Sequence, residues 1–359
     1  MTVPPFGSSK PLTILSRLLL RAEPTGDREL HEISRQEFED TLALAHSHHV
    51  VVRALQPFRQ IMCAAGNVEA VQWAVTAVEL ERVRIENALS FLQRICARLE
   101  ADGCAPTVIK SLDHWPDLGS DLDLYTNAAP AKILSVMKKT FNAHLAERSW
   151  GDRLANKWNF IVPGLRELVE VHVGRLGQTG EHVILANSLV ARARSVKVGN
   201  YVFRVPAAED RLIICTLQRM YRHFYIRLCD IVDTTRLLET EHIDYESLRS
   251  SARAAGIWEG VATFLAIVSD YTRHYRGKGL DLPSSVKAAA RFDGDHISFG
   301  EGFLRVPILP DSAKLYASEL TQLLLKGELS STARLSLLPC LATAAAIGQR
   351  ITGSDKGIW

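Results

Sequence analysis

A chain of 359 residues, 47% of them apolar, is long enough to bury a sizeable core, and its length suggests about two domains. Lys and Arg number 42 against 40 for Asp and Glu, so no excess of either sign demands a long nucleic acid or an anionic membrane surface as partner. The six cysteines are scattered without a CxxC pair, which excludes a disulfide framework and a cysteine zinc site and points to reduced thiols in a cytoplasmic protein.

The opening MTVPPFGSSKPLTILSRLLLRAEP is a poor secretory signal, because Arg17 breaks its apolar run. From Ser34 to Glu100 the apolar positions recur every three or four residues, which predicts helices with a break at Ala64 to Asn67. The second of them, Val68 to Leu99, is expected to leave Glu79, Glu81, Arg82 and Glu86 in solvent and to stop at Asp102-Gly103.

Val108 to Tyr125 reads VIKSLDHWPDLGSDLDLY. A first strand is expected at Thr107 to Ile109, then a loop through Pro116 and Gly119, then a strand from Asp121 to Thr126. Strand side chains alternate, so Asp121 and Asp123 share one face and Leu122 and Leu124 the other. Two adjacent carboxylates repel unless a cation lies between them, and an all-oxygen pair suits a hard ion such as Mg²⁺ or Mn²⁺. Taken alone, the pair is equally the wetted face of an edge strand.

A helix is expected over Pro130 to Glu147, strands at Trp158 to Val162 and Leu168 to Val173, and another strand at Tyr201 to Val205. Within LVEVHV, Glu170 shares a face with His172 and is the favoured third acid, with Glu167 as the alternative. Arg211 to Glu239 reads as one helix that carries Arg219, Arg222, His223 and Arg227 as a single basic stripe. Further helices are expected at Tyr245 to Ala255, Trp258 to Tyr275, Ser312 to Leu325 and Ser331 to Arg350, with HISFGEGFLRVPIL as a turn and strand passage among them. The basic run Arg273 to Gly279 reads as a solvated linker. The longest apolar stretch, Leu335 to Ile347, contains Pro339 and is too short for a bilayer of roughly 30 Å.

These residues resemble the polymerase-β-like nucleotidyltransferase superfamily. In that superfamily a strand leads into Gly-Gly or Gly-Ser, and after a spacer comes Asp-apolar-acid-apolar. Here Ser111 is followed by nine residues, Leu112 to Ser120, and then by Asp121-Leu122-Asp123-Leu124. Lys110 stands where the superfamily has Gly, which is similar to an uncharacterised bacterial branch that reads Leu-Lys-Gly; Ser111 departs from that branch in turn. The resemblance implies an α+β fold, a small mixed sheet flanked by helical N- and C-terminal regions, divided as residues 1–103, 104–206 and 207–359. It implies Asp121, Asp123 and Glu170 as catalytic and metal-holding acids. It also implies Lys110, Ser111, Gly119, Ser120, His223, Arg227 and Asp233 as residues around the nucleotide.

The activity so implied is Mg²⁺-dependent (or Mn²⁺-dependent) transfer of a nucleoside monophosphate from a nucleoside triphosphate, ATP by default, to an acceptor hydroxyl. A small molecule, a peptide or protein, and a tRNA end all remain open as acceptors. Two alternatives stand beside it: a degenerate relative that binds a nucleotide or a partner without turnover, and a toxin acting on tRNA or protein. Other enzyme templates are absent from the sequence: no P-loop, no GxGxxG, no GxSxG and no HExxH.

Overall fold

Local capping signals set several of the helix ends. The computed structural model describes residues 6, 9–21, 28–341 and 343–344; it begins with α1 (Lys10–Leu20), capped by the Ser9 hydroxyl, and the single turn α2 (Arg28–His31). Ser34 and Glu37 form a capping box at the start of α3 (Arg35–Ser47). After α4 (Val51–Ala64), Asn67 caps α5 (Val68–Ala101), and Gly103 at φ +70° lets the chain leave that helix.

Next come β1 (Thr107–Val108), β2 (Asp121–Thr126), α6 (Pro130–Phe141), β3 (His144–Leu145), α7 (Trp150–Leu154), β4 (Lys157–Ile161) and β5 (Leu168–Val173). Helix α8 (Val183–Arg192) leads to the hairpin of β6 (Arg194–Val198) and β7 (Tyr201–Val205), then α9 (Ala208–Thr216) and a π-helical turn, Leu217–His223. The remainder is β8 (Tyr225–Ile226), α10 (Leu228–Thr240), α11 (Tyr245–Ala254), α12 (Trp258–Arg276), α13 (Ser284–Ala289), β9 (Ser298–Gly300), β10 (Phe303–Arg305), α14 (Ala313–Leu325) and α15 (Leu329–Ser336). The fold is α+β, with small mixed sheets between helical flanks.

The five-stranded sheet has the order β1-β2-β5-β4-β3, and within it β2 and β5 run parallel while the other neighbours are antiparallel. A parallel neighbour needs a crossover, and α6 through β4 supply it. Both faces of the sheet are covered. Leu122, Leu124, Val169 and Val171 pack with Leu89, Leu92 and Ile95 of α5 and with Ile133 and Met137 of α6. Tyr125 on the opposite face joins a larger core built from α1, α3 and α4 together with α9 to α13. Ser16 of α1 and Tyr271 of α12, far apart in sequence, meet there through their hydroxyls at 2.6 Å.

Several expectations are corrected. The helix from Pro130 stops at Phe141 and not at Glu147, because Asn142 takes the left-handed conformation, φ 50°, and the chain turns into β3. Arg211 to Glu239 is two helices and not one: Phe224 at φ 52° breaks it after the π-helical turn, and a short strand intervenes. The expected basic stripe is therefore divided, with Arg219 buried against Asp230 at 2.7 Å and Arg227 beyond the break. Glu81 is buried beside Arg84 and not in solvent. The last expected helix is interrupted at Leu337, and its residues 342 and 345–350 lie outside the described residues. Arg273 and Arg276 of the basic run pair with Asp270 and Glu239. Among the described residues no helix is long and apolar enough to cross a membrane.

Candidate active site

Strand register gathers the acids. Across the parallel pair, Asp123 lies beside Glu170 and Tyr125 beside His172, so Asp121, Asp123, Glu170 and His172 all point from one face of the sheet. Ligand atoms of Asp123, Glu170 and His172 lie within 4.8 Å of one another; Asp121 stands one step along β2. His172 Nε2 is 2.7 Å from Glu170 Oε1 and 3.7 Å from Asp123 Oδ1. Glu167, the alternative third acid, lies before β5 and pairs with Arg84.

Two lysines enter this cluster. Lys110 Nζ pairs with Asp123 and lies 3.7 Å from Glu170 Oε1. Lys157, at the start of β4 and cross-strand from His172, reaches Glu170 Oε2 at 2.9 Å and Asp152 Oδ1 at 2.8 Å. Burial works against ionisation of Glu170, yet Lys110, Lys157 and His172 together hold its carboxyl well below the usual carboxylate range. Asp121 goes the other way: burial, then the charges of Asp123 and Glu170, push it up to about 6. One carboxylate is thus strongly ionised and its neighbour poised.

The backbone delivers Lys110 at a cost. Lys110 has φ 61° and ψ −57°, and the Ser111 N–H donates to Ile109 O at 2.6 Å, so Lys110 is the centre of a γ-turn of the rare positive-φ kind. Glycine takes this conformation freely and lysine does not, which gives a physical reason for the glycine common at this place in the superfamily. Ser111 is buried, and its hydroxyl donates to Asp121 O at 3.1 Å and accepts from Asp123 N–H at 2.7 Å, tying the turn to β2.

The loop from Leu112 to Ser120 is held from beneath. Asp117 accepts from the Val52 N–H at 2.6 Å and pairs with Arg53 at 2.9 Å; Arg53 also pairs with Asp233, whose other oxygen meets His114. Arg53 and His114 hold the Asp233 carboxyl below its usual range against the opposing effect of burial. Arg84 donates to the carbonyls of Leu118 at 3.0 Å and Gly119 at 3.3 Å. Gly119 and the exposed Ser120 open onto a crevice of about 400 Å³ whose walls include His46, His49, Arg84 and Arg166.

A basic aromatic patch flanks the other side. Tyr225 stacks on Phe303 at 4.4 Å, and the Arg227 guanidinium lies 5.4 Å from the first ring and 5.6 Å from the second. His223 lies 5.3 Å from Tyr225; burial, then Arg222, Arg219, Arg227 and Lys110, push its imidazole well below its usual range. A second crevice is lined by Lys110, His172, Gly177, Gln178 and Arg222.

Residues 34–273, more than half the chain, match the profile of a family described as uncharacterised nucleotidyltransferase. The chain belongs to that family. No curated protein matches it. The nucleotidyltransferase match starts at the cap of α3 and runs into α12, so both acid-bearing strands lie within it while β9, β10, α14 and α15 lie outside. Nucleotidyl transfer is accordingly the general chemistry of the chain.

Of the residues singled out from sequence, Asp121, Asp123, Glu170 and Lys110 share one face of the sheet and its edge; His223 and Arg227 lie instead against Tyr225, and Asp233 lies under the loop. Lys157, Arg53, His114 and Asp117 were not anticipated as parts of the site. Lys157 opens a strand as a buried lysine, a signal that becomes readable only once β4 is paired with β5.

Proposed function

We propose that this chain is a cytoplasmic, Mg²⁺-dependent (or Mn²⁺-dependent) nucleotidyltransferase that moves a nucleoside monophosphate from a nucleoside triphosphate, ATP as the starting choice, to an acceptor hydroxyl. The observation that carries the reading is the parallel register that sets Glu170 beside Asp123 on the face that also bears Asp121. The carboxylates of Asp123 and Glu170, with Asp121 beside them on β2, are hard oxygen donors that fit a divalent ion, which would have to displace the Lys110 amine from Asp123. When bound, such ions neutralise charge on the attacking and leaving oxygens.

The chain's own groups would do the rest. Lys110, Arg222 and Arg227 balance the triphosphate, and Tyr225 with Phe303 offers aromatic faces at its side. Ser111 fixes the turn through the β2 backbone, and the loop at Gly119 and Ser120 would receive phosphate oxygens. The acceptor hydroxyl enters by the crevice beside Ser120 and passes its proton to a carboxylate of the trio as pyrophosphate leaves. The division into residues 1–103, 104–206 and 207–359 belongs to the same proposal.

The test is incubation of the protein with labelled nucleoside triphosphates and cell extract, with and without Mg²⁺. Label transfer that Asp123→Asn abolishes is the expected result, and absence of transfer for every nucleotide overturns the reading. A second reading rests on Lys110, whose amine already neutralises Asp123 and approaches Glu170. In it the chain binds a nucleotide without turnover. Calorimetry showing nucleotide binding indifferent to Mg²⁺, with no pyrophosphate released, would favour it.

A further inference from the structure

Away from the acids of the sheet, three other ionisable groups meet in the interior. Glu181 and His182 stand at the turn before α8, and Glu319 lies in the middle of α14, outside the family match. All three are buried, with 4%, 3% and 1% of their surface exposed. His182 Nε2 is 3.0 Å from Glu319 Oε1 and 3.6 Å from Glu181 Oε1, and the three ligand atoms lie within 4.8 Å of one another.

We propose that Glu181, His182 and Glu319 form a structural site for a first-row divalent ion, Zn²⁺ being the natural probe, that fastens α14 to the loop following β5.

The arrangement is unlike an ordinary ion pair. His182 Nε2 and Glu319 Oε1 are buried and 3.0 Å apart, yet the contact is not aligned as a hydrogen bond and neither atom has another partner. Tetrahedral coordination at about 2.0–2.2 Å sets adjacent ligand atoms roughly 3.3–3.5 Å apart. The two measured separations from Nε2 bracket that value.

Supporting contacts orient the ligands in advance. The Glu181 carboxylate accepts from Gln178 N–H at 3.1 Å, Thr179 N–H at 2.8 Å and the Thr179 hydroxyl at 3.0 Å. Gly177, at φ +91°, is shaped round it, since a Cβ there would fall 2.2 Å from Glu181 Oε1. Gly177 and Gln178 also line the crevice beside Lys110, so the ion would brace a wall of the active site without entering the reaction.

The experiment uses the full chain carrying Asp123→Asn, which weakens the acid cluster on the sheet. After loading with Zn²⁺ and desalting, metal analysis should find about one ion per chain, and the same background with Glu319→Gln should lose at least tenfold of it. Equal zinc in the two proteins, or none in either, overturns the proposal. Should Glu319→Gln fail to fold, melting of the Asp123→Asn protein decides alone: Zn²⁺ should raise Tm and a chelator should lower it. An unchanged Tm overturns the site. Neither readout depends on catalysis, so failure here and failure of the transferase reading are separable.

Discussion

Lys110 concentrates the local tension of the site. A non-glycine residue in a strained backbone region costs about 1–3 kcal/mol, and Lys110 keeps that conformation while its amine meets Asp123. Lys110→Gly should relieve the turn and lose the charge at once. We expect kcat/KM to fall at least about tenfold, equivalent to about 1.4 kcal/mol of transition-state stabilisation, with Tm nearly unchanged. Kinetics and a thermal melt on the same preparation check it, and a large drop in Tm would mean that the ion pair outweighs the strain. Asp121 gives a second prediction. With its carboxyl at about 6, activity should decline as pH falls through that value, and Asp121→Asn should remove that limb of the pH–rate profile. The stability linkage has the opposite sign: the folded pKa lies above the unfolded value of about 3.9, so this group's contribution is present below that value and is lost as pH rises toward 6. Glu170, depressed, contributes above its unfolded value and loses that contribution as pH falls through its folded one. Unfolding by denaturant at several pH values, compared between the parent and Asp121→Asn, isolates the first effect. At this scale much was legible: alternation alone put Asp121 and Asp123 on one face. Lys110 was readable as a lysine near acids, but its backbone angle was not.

At the level of elements, the loop before β2 is fixed by buried charge. Arg53 serves Asp117 and Asp233 together, so Arg53→Met strands two buried carboxylates and should cost about 3–5 kcal/mol in a denaturant melt. Replacing Asp117 with Asn and Asp233 with Leu in the same protein should recover part of that loss; if it recovers none, packing of the Arg53 stem is the larger effect. No sequence pattern announces this triad, because its members come from α4, the loop and α10. Strands β2 and β5 were readable to the residue because Asp121 to Leu124 and Val169 to Val173 alternate strictly. The helix through Phe224 was misread for the converse reason: the apolar period continues across the break, and a left-handed Phe carries no signal in its identity.

Across the whole molecule, the first helix and the late helix α12 share one interior. Leu12, Leu15 and Leu18 of α1 belong to the same buried cluster as Phe264, Val268 and Tyr271 of α12. Residues 1–103 made alone would expose those leucines, each worth about 1.5–3 kcal/mol when buried, and should show no cooperative melt by circular dichroism. Addition of residues 104–359 in trans should restore a cooperative transition if the interface forms between fragments.

The parallel pairing of β2 with β5 also orders events in time. Asp123 and Glu170 are separated in sequence by a helix, two strands and a further short helix, all of which must be laid down before the two can meet. A growing polypeptide on the ribosome therefore carries the aspartate strand without its parallel neighbour until Val173 has emerged. Topology thus sets the order of assembly: the last ribbon synthesised of that pair is the one that closes the acid cluster.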